Sequence, residues 1–263
     1  NVSSRVINYM KLLWQQIPSP IITEIFCNSG FDGVVFDLEH GCFNNETLYS
    51  CIQVCNLCQK KSNDSGFSFI RVSHLDKQVI RMALDAGISG IILSTVETED
   101  QAQEFYDYCT YPYKLRKEQF AQDDQGIVRR KYVIEEGGKR GQGLVRENKW
   151  GKEEFALRKP ILIPQIETIR GVNNLNDIKK LNFDYYLVGP YDLSASIGKV
   201  GDLECDEFKS VINSIKEIVG NKIGIHIPSH IESEYPKYND YGFLALGMDT
   251  TFLVKCVEDA DVL

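Results

Sequence analysis

Short apolar runs bounded by turn residues recur along the chain and alternate with helix-like segments. The runs are residues 9–16 (YMKLLWQQ), 33–38 (GVVFDL), 67–72 (FSFIRV), 90–94 (GIILS), 161–166 (ILIPQI), 185–188 (YYLV), 222–227 (KIGIHI) and 243–246 (FLAL). Runs of this length between turns read as buried strands, and strands separated by helices read as a parallel sheet. Helices are predicted over 20–28, 45–61, 76–86, 99–109, 207–219 and 250–260, with helix-like stretches after Glu167 and over 229–240. Gly30 and Gly87 close the first and third of these, as glycine does past a helix end. Eight strands, each followed by helix, are the count of a closed (β/α)8 barrel, so the expected fold is an α/β TIM barrel forming a single domain over 1–263. A doubly wound open sheet is the alternative; it usually carries a glycine-rich turn after its first strand, and none is present. Regularity lapses over 111–159, which is charged and dotted with glycine. A connection of that length reads as a lid, a binding loop or a disordered segment.

Composition narrows the setting. An apolar fraction of 43% over 263 residues supports a sizeable core, and a net charge of −8 argues against nucleic acid or an anionic membrane as partner. No apolar run approaches a membrane span and the N-terminus lacks a charged-then-apolar leader pattern, so the expected location is cytoplasmic. Eight cysteines are too sparse for a disulfide scaffold in a chain this long. Cys51, Cys55 and Cys58 form the one cluster, at the spacing of a single helix face. Buried packing in a reduced protein is the expectation; a structural zinc would need a fourth ligand from elsewhere.

The chemistry lies where the strands end. In a (β/α)8 barrel the C-terminal strand ends share one mouth. Reading along it gives Trp14, Asp37 with His40, Arg71, Gln165 with Glu167, and Asp192 just past Gly189-Pro190. Each has an innocuous reading alone: solvated loop acids, a loop histidine, a rim ion pair. Together they bring a base, a cation and two acids to one place. Glu167 and Asp192 follow consecutive strands with no basic residue beside either. Two neighbouring carboxylates repel unless one is protonated or a cation lies between them, and a hard divalent ion answers that need. Such an ion leaves positions for a chelating 2-oxo acid, whose keto oxygen it would polarise with help from Arg71. His40, with Asp37 orienting its ring, could remove a proton from the adjacent carbon. No lysine ends a strand, which argues against a Schiff base.

At these residues the chain resembles the metal-dependent 2-oxo acid aldolases of the HpcH/HpaI type. The matching motifs run from PSP and GFDGVVFDLEHG (within 18–41) through FIRV (69–72), LDAGISGII (84–92) and GKRGQGLVRENKWG (138–151) to PQIET (164–168), VGPYDLSASIG (188–198) and LGMDT (246–250). The resemblance implies a divalent ion (Mg2+ or Mn2+, with Co2+ as a further option) on Glu167 and Asp192. It implies His40 with Asp37 as base, Arg71 on pyruvate and its enolate, and Trp14, Gln165 and the Gly189-Pro190-Tyr191 backbone around the substrate. It implies reversible cleavage of a 4-hydroxy-2-oxo acid to pyruvate, or a similar 2-oxo acid, and an aldehyde. A homo-oligomer, trimer or hexamer, is implied too, with the helix at 250–260 packed on a neighbour. Asp85 matches a family acid; it belongs on the face away from the mouth and would act only in a neighbour's site, or else is a helix-end acid.

Three departures bear on substrate. Ser94-Thr95 replace the usual proline after strand four, residues 114–137 look inserted, and strand seven carries His226 where apolar residues are usual. Two other readings stay open: a related carbon–carbon lyase or decarboxylase, including a citrate-lyase-like acyl-CoA enzyme, and a non-catalytic barrel subunit.

Overall fold

The computed structural model describes residues 10–62, 66–111, 114–122, 128–136, 139–141, 143–152 and 159–260. The strands are β1 (Met10–Gln15), β2 (Gly33–Asp37), β3 (Phe67–Val72), β4 (Gly90–Leu93), β5 (Lys114–Gln122), β6 (Val128–Glu136), β7 (Ile161–Ile166), β8 (Tyr186–Val188), β9 (Ile223–Ile227) and β10 (Phe243–Met248). The helices are α1 (Pro20–Cys27), α2 (Asn45–Ser62), α3 (Lys77–Asp85), α4 (Glu99–Cys109), α5 (Ile169–Asn173), α6 (Leu175–Ile178), α7 (Pro190–Ser196), α8 (Asp206–Val219), α9 (Ile231–Glu234) and α10 (Asp249–Ala260). Eight parallel strands close in the order β1-β10-β9-β8-β7-β4-β3-β2, which is the expected (β/α)8 barrel. Tyr9, the expected start of the first strand, lies outside the described residues.

Alternation along the strands builds two cores. One side of each strand faces the helices, where Val34, Phe36, Ile70, Ile91, Leu162 and Ile225 join a large buried layer. The other side faces the barrel axis, where Leu12, Val35, Phe69, Ile92, Ile163, Leu187 and Phe243 pack on one another. At Gly224 a Cβ would fall 2.1 Å from the Phe243 ring, so the missing side chain on β9 is what lets that ring fill the axis. Caps fix where the helices start. Asp76 accepts the Gln78 and Val79 amides at 2.9 and 3.1 Å ahead of α3. Thr98 forms a reciprocal capping box with Gln101 ahead of α4.

Two expectations are corrected. Within 111–159, read as irregular, residues 114–122 and 128–136 form an antiparallel hairpin, β5 with β6. A two-stranded ladder needs no buried face, so its charged composition concealed it. The helix-like stretch at 229–240 is only the single turn α9 followed by a 3-10 turn over Tyr235–Tyr238. Past the end of β8 at Val188, Pro190 stands at the first position of α7 and places Asp192 in the first helical turn. Among the described residues no helix is long and apolar enough to cross a membrane.

Candidate active site

The inward faces change character near the C-terminal ends of the strands. Two residues beyond Val35, Phe69, Ile92, Ile163, Leu187 and Gly224 stand Asp37, Arg71, Ser94, Gln165, Gly189 and His226. Strand alternation alone therefore lays a polar ring over an apolar floor.

Asp37 anchors the ring. It is fully buried, and its register partner across β2 and β3 is Arg71. Arg71 donates Nε to Asp37 Oδ1 at 2.9 Å and Nη2 to Oδ2 at 2.6 Å, a bidentate pair. Trp14 Nε1 and Gln16 Nε2 each donate to Oδ2 at 3.1 Å. The main-chain N–H groups of Glu39 and His40 donate to Oδ1 at 3.1 and 3.2 Å. Burial on its own would raise the Asp37 pKa, but the Arg71 guanidinium and these side-chain donors hold it below the ordinary carboxylate value. Arg71 Nη1 also faces Glu39 Oε2 at 3.0 Å, and Ser94 Oγ donates to that same oxygen at 2.7 Å.

The structure separates two residues that the sequence coupled. Asp37 takes the main-chain N–H of His40 rather than its ring, because both carboxylate oxygens are turned to Arg71, Trp14 and Gln16. His40 itself is exposed. Trp14 is corrected as well: with no exposed surface it does not line a pocket but supports one. The Arg71 guanidinium lies 4.9 Å from the Trp14 ring centre, and the His226 ring stacks on Trp14 at 4.4 Å and 20°.

Glu167 follows β7 and is buried, 4% exposed. Its Oε1 accepts the Thr95 N–H at 2.8 Å and the Thr95 hydroxyl at 2.6 Å, and Gln165 Nε2 donates to its Oε2. Burial raises its pKa, against the hydrogen bonds from Thr95 and Gln165, and the charges of Asp192 and Glu39 push the same way. Asp192 is exposed. A Cβ at Gly189, just past β8, would fall 2.4 Å from Glu167 Oε2 and 2.8 Å from Gln165 Nε2, so a side chain there would displace both groups. Thr95 holds its grip at φ 52°, a left-handed conformation uncommon for a β-branched residue.

These contacts bear directly on whether a cation fits. A carboxylate offers about four lone-pair directions, and Thr95 and Gln165 occupy three on Glu167, which leaves one on Oε2. No Lys, Arg or His ion pair with Glu167 occurs among the described residues, while two other acids lie close enough to raise its pKa. Gln165 Oε1 is buried with no hydrogen-bond partner among the described residues. A divalent ion held by one or two carboxylates, with water and substrate oxygens completing its shell, suits this donor set. Among the described residues no group of three or more His, Cys, Asp or Glu side chains has metal-site geometry.

Glu39, Gln16, Ser94 and Thr95 were not among the expected site residues. Glu39 stood beside His40 in the sequence, and Ser94-Thr95 were visible as a departure, but the contacts of all four depend on strand register. Beside the mouth, Pro190, Tyr191, His226, Ser229 and His230 help to line a cavity of about 310 Å3. Asp85 is the last residue of α3. There it pairs with buried Arg140 at 2.8 Å, and Arg140 pairs in turn with Glu147 at 2.6 Å.

Two predictions arise here. Thr95→Val removes a hydroxyl bonded to a buried carboxylate while keeping the side-chain shape. At neutral pH it should lower unfolding free energy by about 1–2 kcal/mol, Thr95→Ser should not, and urea denaturation separates the two. The second concerns His226, whose pKa is lowered to about 4 by burial first and then by Arg71. A folded-state pKa below the ordinary value of about 6.5 means that stability present above pH 6.5 is lost as pH falls toward 4. His226→Leu should flatten that acid limb, read as urea midpoints between pH 7 and pH 4.5.

The fold and site define a (β/α)8 barrel with a mouth of paired and unpaired acids around one buried guanidinium. The profile of the HpcH/HpaI aldolase/citrate lyase family matches residues 11–250, and the chain belongs to that family. A hydroxypyruvate/pyruvate aldolase of Delftia acidovorans is 26% identical over 251 residues, spanning 92% of this chain and 82% of its own. A 4-hydroxy-2-oxovalerate aldolase of Rhodococcus jostii is 25% identical over 252 residues, spanning 92% of this chain and 86% of its own. The crystal structure of an HpcH/HpaI aldolase/citrate lyase family protein from Burkholderia cenocepacia shares the fold, with a TM-score of 0.77 at 20% identity over 96% of this chain and 93% of that one.

Proposed function

We propose that the chain is a divalent-metal-dependent aldolase that reversibly cleaves a 4-hydroxy-2-oxo acid to pyruvate, or a similar 2-oxo acid, and an aldehyde. The observation that carries this reading is Glu167: a buried acid beside two others, with no cationic side chain among the described residues paired to it and one oxygen direction left open. The names of the two aldolase relatives agree with it. Glu167 and Asp192 would hold the ion, Mg2+ or Mn2+, which when bound supplies Lewis-acid withdrawal of charge from a keto oxygen.

The chain's own residues do the rest. Of the five N–H groups on Arg71, two are committed to Asp37 and Nη1 faces Glu39, which leaves donors on both Nη atoms. Those donors share the negative charge that develops on the keto oxygen as the adjacent carbon loses its proton. Asp37 and the Trp14 face fix the guanidinium, so it needs no rearrangement during the reaction. His40, exposed at the rim, takes the proton, a contribution of about 10²–10⁴-fold. Gln165 Nε2 steadies Glu167, and its buried Oε1, unpartnered among the described residues, would accept a substrate donor. The cavity by Tyr191 and His226 takes the part of the substrate beyond the oxo acid. Exposed Leu253, Val254 and Val257 on α10 support a homo-oligomer covering that helix.

The test is exchange of pyruvate methyl protons with heavy water, followed by proton NMR. Chelator-treated protein should lose the exchange and regain it with Mn2+ or Mg2+. Failure of both treated and restored protein to exchange, while correctly folded, would sink the reading.

A further inference from the structure

Outside the mouth, four cysteines meet where α1 packs on α2. Cys27 is the last residue of α1, and Cys51, Cys55 and Cys58 lie along one face of α2. The Cys27 and Cys55 Sγ atoms are in thiol–thiol contact at 3.4 Å. Cys55 is 1% exposed, whereas Cys27 is only half-buried and so gives a reagent in solvent a way in. The sequence showed the helix-face trio; Cys27, on a different helix, was beyond its reach.

We propose that Cys27 and Cys55 form an oxidisable dithiol that closes to an intramolecular disulfide. The two thiols are inequivalent, which sets the order of events. Hydrogen bonding from Cys55 draws the Cys27 thiol below its ordinary pKa despite burial, while the same contact and burial push Cys55 well up. Cys27 is therefore the thiolate that attacks first. With hydrogen peroxide as the two-electron oxidant, the Cys27 sulfur attacks one peroxide oxygen and the O–O bond breaks. This gives a sulfenic acid on Cys27 and hydroxide, which takes the Cys27 thiol proton as water. The Cys55 sulfur then attacks the Cys27 sulfur, the S–O bond breaks, and the Cys55 proton leaves with that oxygen as a second water. Two thiols and one peroxide become one disulfide and two waters. The sulfurs must close to about 2.05 Å, and the side chain of Cys27, at the end of its helix, has only its own turn to move.

The bond would staple α1 to α2 across a sequence separation of 28 residues. Oxidised protein should therefore melt higher than reduced protein, by about 5–10 °C for a loop of this size. The experiment treats the native chain with hydrogen peroxide, alkylates the remaining thiols and maps peptides without reduction. The expected result is a Cys27–Cys55 cross-linked pair two hydrogens lighter than its thiols, a raised melting midpoint, and reversal of both by a reductant. Cys27→Ser should abolish both, and the double variant at exposed Cys42 and Cys256 should keep both. Iodoacetamide labelling of the untreated protein, which depends on no variant, should reach Cys27 before Cys55. Over-oxidised Cys27 beside a free Cys55 thiol, a bridge from Cys27 to Cys58 instead, or bridges only through Cys42 and Cys256 would each overturn the assignment.

Discussion

An Asp37→Ala variant should lose about 3–5 kcal/mol of unfolding free energy, the usual consequence of breaking a buried ion pair from one side. The carboxylate has no exposed surface and receives six hydrogen bonds, from Arg71 twice, Trp14, Gln16 and the amides of Glu39 and His40. Removing it leaves a buried guanidinium with Glu39 alone and strands two main-chain donors at the β2 end. Asp37→Asn should recover part of the loss, because an amide oxygen still accepts while the charge is gone. Turnover should fall with both, since Arg71 loses its fixed orientation. The pH dependence has a definite sign. Asp37 titrates below its ordinary value when folded, so its contribution is present above the unfolded carboxylate range and disappears as pH falls through the folded value. Urea titrations at pH 7 are the measurement; a variant with wild-type stability would show that Arg71 is not held as described.

The second large effect is a trade of stability against activity at Glu167. Its pKa is raised on folding, so ionising it above the unfolded carboxylate range disfavours the folded state. Glu167→Gln removes that burden and still offers an acceptor to Thr95, while its new amide can donate to the Gln165 oxygen if Gln165 turns over. The metal-free variant should therefore melt higher than the metal-free parent. Its aldol activity should fall about 10²–10³-fold, the loss of several kcal/mol of charge stabilisation. Differential scanning calorimetry and aldol turnover, on the same samples, test both halves. A variant that is less stable and fully active would remove Glu167 from the reaction.

Both variants were designable only in part from sequence. The eight barrel strands were legible because a strand buried on both faces reads as a continuous apolar run, and GVVFD or ILIPQI has no other comfortable home. The residues ending those runs were legible for the same reason, as polar groups at the close of apolar stretches. Their pairings were not. Asp37 faces Arg71 because β2 and β3 pair in one register, and a shift of one residue would turn it to the helices. Proximity in sequence suggested His40 as its partner; the ladder gave it Arg71. Thr95 was visible only as an unusual residue, since its contact with Glu167 needs a left-handed backbone that sequence does not announce. The hairpin β5–β6 was missed for the opposite reason: it lacks the apolar run that betrays a buried strand.

That hairpin has a consequence for the architecture. Between the end of β4 and the start of β7 the chain makes its longest excursion, yet Gly90 through Leu93 pair with Ile161 through Pro164 as immediate neighbours. The cylinder closes as though the excursion had no length, and its ring of inward side chains is drawn from other segments. Such a place is a natural splice point, where a tag or a foreign module could be threaded in while the wall keeps its circumference.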